Sequence, residues 1–313
     1  RRVHGENHPM DVFSQNLGFC GIFKNSFSIL CSQKKTFLQI SLALLLPIGI
    51  ISQILSVLSP ILSVLISNTS EGSSSITIVV LSLIFLLAII SVIILSLLAV
   101  AAIVTAVAQT YLQIPLHFPS VIKRTPRILK KLFVTFLWCS LLTVVYNVAL
   151  LVLLFLVLVF LRGSTLGLVI LVVLLIFYLV GSLYVSVLVN VAYVATVLEE
   201  GYGRAAIVRS RDLLRGKEIL AGLILIVVGL FAVGIAVGLS FAGTDNVVVQ
   251  VVVWVAYCLV IVAVGLLLQV IYTVLYITCK FFHREAIDVS LLASHLDAYL
   301  GHYVVLKAED SHA

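Results

Sequence analysis

The sequence predicts an all-α, polytopic membrane protein: six transmembrane helices in three parallel hairpin repeats, each preceded by a basic amphipathic interfacial helix. Composition is the first observation. Of 313 residues, 62% are hydrophobic and 10% charged, with a mean hydropathy of +1.27, whereas about a quarter of a soluble domain is charged. The second is a set of apolar runs near 36–58, 76–108, 132–161, 166–198, 219–241 and 247–279, each reaching the roughly 20 residues that cross a bilayer. The third is a basic motif that recurs without gaps. Phe23-Lys24-Asn25-Ser26 with Ile29-Leu30-Cys31, Ile122-Lys123-Arg124-Thr125 with Ile128-Leu129-Lys130, and Ile207-Val208-Arg209-Ser210 with Leu213-Leu214-Arg215 share apolar, hydroxyl and cationic columns.

Residues 1–16 carry no periodic pattern and are expected to form a disordered tail. The only methionine is Met10, and translation is expected to start there. From 17 to 279 extends the transmembrane domain. Its apolar runs lack the two-residue alternation of outer-membrane strands, so the backbone must satisfy itself as helix. Each repeat consists of the motif, an odd-numbered span, a short outer loop (about 59–75, 162–165 and 242–246) and an even-numbered span. The even spans run about 33 residues, about 50 Å at helical rise against a hydrocarbon core of about 30 Å. They must tilt, bend or project, and the projecting ends are Gln109–Ile114, Val191–Glu200 and Tyr272–Phe282. Pro115, Pro119 and Gly201 are expected to break the helix before the next motif. In the second motif Ile122, Leu129 and Phe133 form an apolar stripe with Lys123, Arg127 and Lys130 at its flanks, the pattern of a helix lying in the interface. Glu285–Val305, with Leu291, Leu292, Leu296 and Leu300 on one stripe, reads as a fourth amphipathic helix within a cytoplasmic C-terminal segment, 280–313.

Charge fixes the expected orientation. Eighteen of the nineteen Lys and Arg lie on one side of the spans, and Arg162 alone lies opposite. Cationic loops are retained in the cytoplasm, so both termini are expected there, in a plasma membrane or an endoplasmic-reticulum or other endomembrane. The net charge of +6 is divided among membrane-adjacent segments rather than gathered on a soluble domain, which argues against nucleic acid. Anionic headgroups are the fitting counter-charge.

Five cysteines, Cys20, Cys31, Cys139, Cys258 and Cys279, form no C-x-x-C pair and none falls in an outer loop, so no disulfide framework is implied. Cys20, Cys31 and Cys279 sit at cytoplasmic membrane boundaries, where palmitoylation is chemically open, although a small buried thiol is the expectation for each. Asn68-Thr69-Ser70 fits the glycosylation sequon, but its closeness to both flanking spans disfavours modification. No Asp, Glu, Lys, Arg or His falls in mid-span, which argues against proton coupling, voltage sensing and intramembrane proteolysis. The polar residues within spans are Gln53, Asn147, Asn190 and Gln269, amides of the kind that tie helices together. Gly163, Gly167, Gly222, Gly229, Gly234 and Gly238 offer close helix contacts. His295, Asp297 and His302 lack further ligands and read as a solvated face. Glu199 and Glu200 are expected to neutralise Arg204, Arg209 and Arg211.

Leu17-Gly18-Phe19-Cys20-Gly21-Ile22-Phe23, Val134-Thr135-Phe136-Leu137-Trp138, Val197-Leu198-Glu199-Glu200-Gly201-Tyr202-Gly203 and Ala298-Tyr299-Leu300-Gly301-His302-Tyr303 resemble a plant family of multi-pass membrane proteins of uncharacterised function. Some of its members carry the label "polyadenylate-binding protein 1-B-binding protein". The resemblance covers nearly the whole chain from Leu17. Residues 199–210 are also similar, more loosely, to the non-catalytic membrane domain attached to some bacterial glycerophosphodiester phosphodiesterases, so no phosphodiesterase activity is implied.

The expected function is therefore that of a membrane protein without catalytic activity, cofactor or metal. Its Lys24, Lys123, Arg124, Arg127, Lys130, Arg209, Arg211 and Arg215 are expected to engage anionic lipid headgroups or partner proteins. The alternative is a facilitator for an apolar or amphipathic small molecule, using Asn147, Asn190 and Gln269.

Overall fold

A computed structural model describes residues 18–67, 75–111, 118–160, 165–199, 201–241 and 247–282. The N-terminal tail, residues 68–74, 161–164 and 242–246 of the outer loops with Asn68, Glu71, Arg162, Gly163 and Asp245, residues 112–117 with Pro115, Glu200 and the expected C-terminal helix lie outside the described residues. Residues 59–67, expected in the first outer loop, instead continue α3 as helix. Among the described residues nearly all are helical and none is in a strand.

The helices are α1 (Phe19–Ser32), α2 (Lys34–Ile40), α3 (Leu46–Ser67), α4 (Ser75–Tyr111), α5 (Phe118–Phe160), α6 (Thr165–Leu198), α7 (Arg204–Leu214), α8 (Glu218–Phe241) and α9 (Val247–Phe282). Six stretches are long and apolar enough to cross a membrane: Lys34–Val64, Ile78–Thr110, Ile128–Phe160, Gly167–Leu198, Glu218–Ile235 and Val251–Lys280. These match the six expected spans, and the chain is a multi-pass membrane protein.

Local chemistry shapes the first span. A π-helical turn, Ser41–Leu45, joins α2 to α3 just ahead of Pro47, which has no N–H to offer the helical ladder. Pro60 lies inside α3 and cannot donate to the Ser56 carbonyl. The hydroxyl of Ser59 donates to that carbonyl at 3.2 Å, so the backbone group is satisfied without water.

As expected, α4 ends at Tyr111, ahead of Pro115 and Pro119. The second motif departs from expectation in one respect: Pro119 occupies the first turn of α5, where a missing N–H is no loss, and α5 runs 43 residues from motif into span as one helix. The first and third motifs do separate from their spans. Gln33 intervenes after α1, and after α7 comes a turn in which Gly216 has φ +91°.

The spans pack in a cyclic pattern. The even spans α4, α6 and α9 contact one another in all three pairs. Outside them, α3 packs on α4 and α9, α5 on α6 and α4, and α8 on α9 and α6. Each odd span thus lies against its sequence partner and one other even span.

Buried side chains concentrate at one end. They fall in Leu97–Gln109 of α4, Leu132–Cys139 of α5, Val187–Thr196 of α6, Ala221–Val228 of α8 and Gln269–Cys279 of α9, with α1 and α7 packed onto the same end. This is the end that carries Lys24, Lys34, Lys130, Arg211 and Lys280. Towards the other end the spans present Leu83, Leu87, Leu151, Phe155, Leu168, Val172, Leu230 and Val252 outwards, as lipid contact requires. Gly222, Gly229, Gly234 and Gly238 do not mediate the close contacts expected of them, because a Cβ at any of the four would meet open space.

Candidate functional site

The basic end is built from the three motif helices. In α1, Ile22, Ser26 and Ile29 are buried and the helix packs on α9. In α7, Ala206, Ser210, Leu213 and Leu214 are buried and the helix packs on α6, α5 and α9. Ile128 and Leu129 of the second motif pack against Leu97 and Ala101 of α4 and Leu132. The apolar stripes therefore face the bundle. Lys24, Lys130, Arg211 and Arg215 face away and are exposed. The side chains of Lys123, Arg124 and Arg127 lie outside the described residues.

Arg209 differs from the other cations expected to meet headgroups. Its Nε donates to Glu199 Oε2 at 3.2 Å. Glu199 follows the last turn of α6 and binds two further groups from α9. The Tyr276 hydroxyl donates to Oε1 at 2.6 Å and Lys280 Nζ donates to the same oxygen at 2.8 Å. One carboxylate thus joins α6, α7 and α9 at the basic end. Burial alone would raise its pKa, but the hydrogen bonds from Lys280 and Tyr276 and the charges of Lys280 and Arg209 outweigh burial and hold it below the usual carboxylate value.

Beside this cluster the chain turns from α6 into α7 through Gly203, at φ +66°, a conformation that suits glycine. Its N–H donates to the Thr135 hydroxyl at 2.9 Å, and the Thr135 and Thr196 hydroxyl oxygens lie 3.0 Å apart, joining α5 to α6. Arg204 lies over the Trp138 ring at 5.6 Å from its centre, a cation–π contact. Of the three arginines expected to be neutralised by the acidic pair, Arg209 thus meets Glu199, Arg204 stacks on Trp138 and Arg211 stays exposed.

The three intramembrane amides do not converge. Asn147 of α5 donates to its own helix at Thr143 O (2.8 Å) and accepts from the Tyr178 hydroxyl of α6 (3.1 Å). It lines a pocket of about 260 Å³ between α5 and α6, with Leu150, Leu151, Leu154, Leu174, Leu175 and Tyr178. Asn190 of α6 donates to Ser186 O, also within its own helix. Gln269 of α9 is buried in the basic half, its Nε2 without a hydrogen-bond partner, as is the Oε1 of buried Gln109 on α4. Of the three, only Asn147 lines that pocket.

Among the described residues, no group of three or more His, Cys, Asp or Glu could hold a metal ion. Cys20 and Cys31 are exposed, Cys258 is intermediate, and Cys139 and Cys279 are buried. Cys279 is therefore removed from the expected boundary set. Sequence reasoning missed the roles of Tyr276, Lys280 and Trp138. Tyr276 carried one signal, as a tyrosine at interfacial depth. No curated protein and no solved structure matches the chain. Residues 10–312 match the domain of unknown function DUF8558, and with nearly the whole length matched the chain belongs to that family.

Proposed function

We propose that this integral membrane protein is a non-enzymatic device for holding anionic lipid at the cytoplasmic leaflet through its basic motif helices. The observation that carries this reading is the division of each helix face. Ile22, Ile29, Leu132, Ala206, Leu213 and Leu214 are buried against the bundle, while Lys24, Lys130, Arg211 and Arg215 project from it at one end. Each cation near an anionic surface contributes about 1 kcal/mol of attraction. Placing both termini in the cytoplasm follows from the same cations.

The cyclic packing of the spans supports a threefold repeat. So do the matching columns: Ser26 and Ser210 are fully buried, as are their neighbours Ile22 and Ala206. A repeated motif presents three similar cationic faces around one axis. Arg209 acts within the protein rather than on headgroups, since Glu199 claims it.

Native mass spectrometry of the protein extracted with its own lipids tests the reading. The parent should retain anionic phospholipid, and a variant with Lys24, Lys130, Arg211 and Arg215 changed to Gln should lose it. Equal retention by both would refute the lipid role. The second reading, a carrier of a small apolar molecule bearing one polar group, draws on the Asn147–Tyr178 pocket. A small molecule retained by both forms and lost from Asn147→Leu would favour it.

A further inference from the structure

Residues Cys20, Lys24, Phe27 and Cys31 follow one another at intervals of four, three and four along α1, the spacing that keeps side chains on one helical face. All four are exposed, Phe27 to 65%. They lie opposite Ile22, Ser26 and Ile29, which α1 buries against the bundle. The stripe is therefore unused by the fold. It holds two thiols about 16 Å apart along the axis at 1.5 Å per residue, with a cation and a large apolar side chain between them.

Comparison with the third motif sharpens this. In the shared register Cys20 corresponds to Arg204 and Cys31 to Arg215, and in the second motif Cys31 corresponds to Lys130. The position of Cys31 is thus cationic in both other copies and faces outwards in all three. The first copy alone places a thiol at this outward-facing cationic position, adds a second at Cys20, where the second motif has Pro119 and the third the Trp138-stacked Arg204, and keeps the apolar Phe27 exposed between them.

We infer that Cys20 and Cys31 are a paired S-acylation site, which fastens α1 to the membrane by fatty chains in place of arginines. The reaction is acyl transfer from a long-chain acyl-CoA. The cysteine sulfur attacks the thioester carbonyl, a new Sγ–C bond forms, the bond from carbonyl carbon to coenzyme A sulfur breaks, and coenzyme A leaves as the thiol carrying the cysteine's proton. No oxidant or reductant enters. Two chains on one helix act together, since a single chain holds only reversibly. Cys139 and Cys279 are buried and take no part. The inference rests on the cytoplasmic placement of the basic end.

Acyl exchange on the full-length protein in cell membranes, with thioesters cleaved by hydroxylamine and freed thiols tagged by a polyethylene-glycol maleimide, reads the outcome directly. The parent should show two hydroxylamine-dependent increments, Cys20→Ser and Cys31→Ser one each, and the double variant none. Cys279→Ser should keep both. No increment in the parent, or increments that persist in the double variant, would overturn the site. Both substitutions are on an exposed face, and equal amounts of parent and double variant in the membrane fraction will exclude misfolding as the cause of a lost tag. Sidedness is read separately, by an impermeant maleimide on a variant whose sole cysteine is a Ser28→Cys on α1. Labelling once digitonin opens the plasma membrane alone supports the cytoplasmic placement, and labelling that waits until internal membranes are opened overturns it. Labelling in intact cells would overturn that placement and the acylation with it, whereas cytoplasmic labelling without acyl increments overturns the acylation alone.

Discussion

Glu199 takes three donors from two helices on a carboxylate that is only 21% exposed. Its Gln variant keeps the shape and loses the charge that Lys280 and Arg209 face. The expected cost is about 1.5–3 kcal/mol, the range for hydrogen bonds to charged groups, with the lower part favoured by partial exposure. Thermal unfolding in nanodiscs would measure it. The folded carboxyl has a lowered pKa, so its stabilisation is complete above the unfolded-state value and disappears as pH falls through the folded value. The gap between parent and Glu199→Gln should therefore narrow progressively as pH falls below the ordinary carboxylate pKa. A gap unchanged by acid would refute the assignment. Gly203→Ala places a Cβ at positive φ and 3.1 Å from Trp138 Cδ1, which should cost about 1–2 kcal/mol and shift Trp138 fluorescence. Half of this cluster is legible in the sequence, because an acid ten residues before a cation across a helix break is a local pairing. The other half is not, because Tyr276 and Lys280 lie 77 and 81 residues away, and nothing local distinguishes them from other interfacial tyrosines and lysines.

At the scale of elements, the α5–α6 pair is fitted around a missing side chain. The Tyr146 hydroxyl donates to the Tyr178 carbonyl at 3.0 Å, and it occupies the space that a Cβ at Gly181 would need. Gly181→Ala should displace the Tyr146 ring and cost about 0.6–1.7 kcal/mol, the measured span for interhelical hydrogen bonds in membranes. Tyr146→Phe removes the obstructing oxygen, so the two substitutions together should cost less than their sum, a coupling that a double-mutant cycle will read. Strict additivity would mean that the glycine has no part in this contact. The existence of both helices is plain from hydropathy. Their mutual fit is not, because small residues in an apolar run mark contacts in some helices and open space in others: Gly181 is filled by a neighbour, whereas the four glycines of α8 are not. The break expected before the second motif is found, with α4 ending at Tyr111 and Pro119 opening α5 from its first turn, but the proline does not separate that motif from its span.

Across the whole molecule, six spans and one basic end can be read from the chain, but which spans form the centre cannot. Length does not single out the even spans, since α5, outside them, runs 43 residues. The three even spans, with 37, 34 and 36 residues in their helices, are the three that contact one another. Their burial at the basic end has a consequence for the bilayer. A bundle tightly closed in one leaflet and thinly packed in the other meets two different surroundings. Lipids of the basic leaflet border the protein from outside, whereas acyl chains of the opposite leaflet complete the packing between its helices, acting as removable parts of the core. Changing chain length or unsaturation in that leaflet alone should therefore move the unfolding temperature more than the same change in the basic leaflet, an asymmetry measurable in vesicles of controlled leaflet composition.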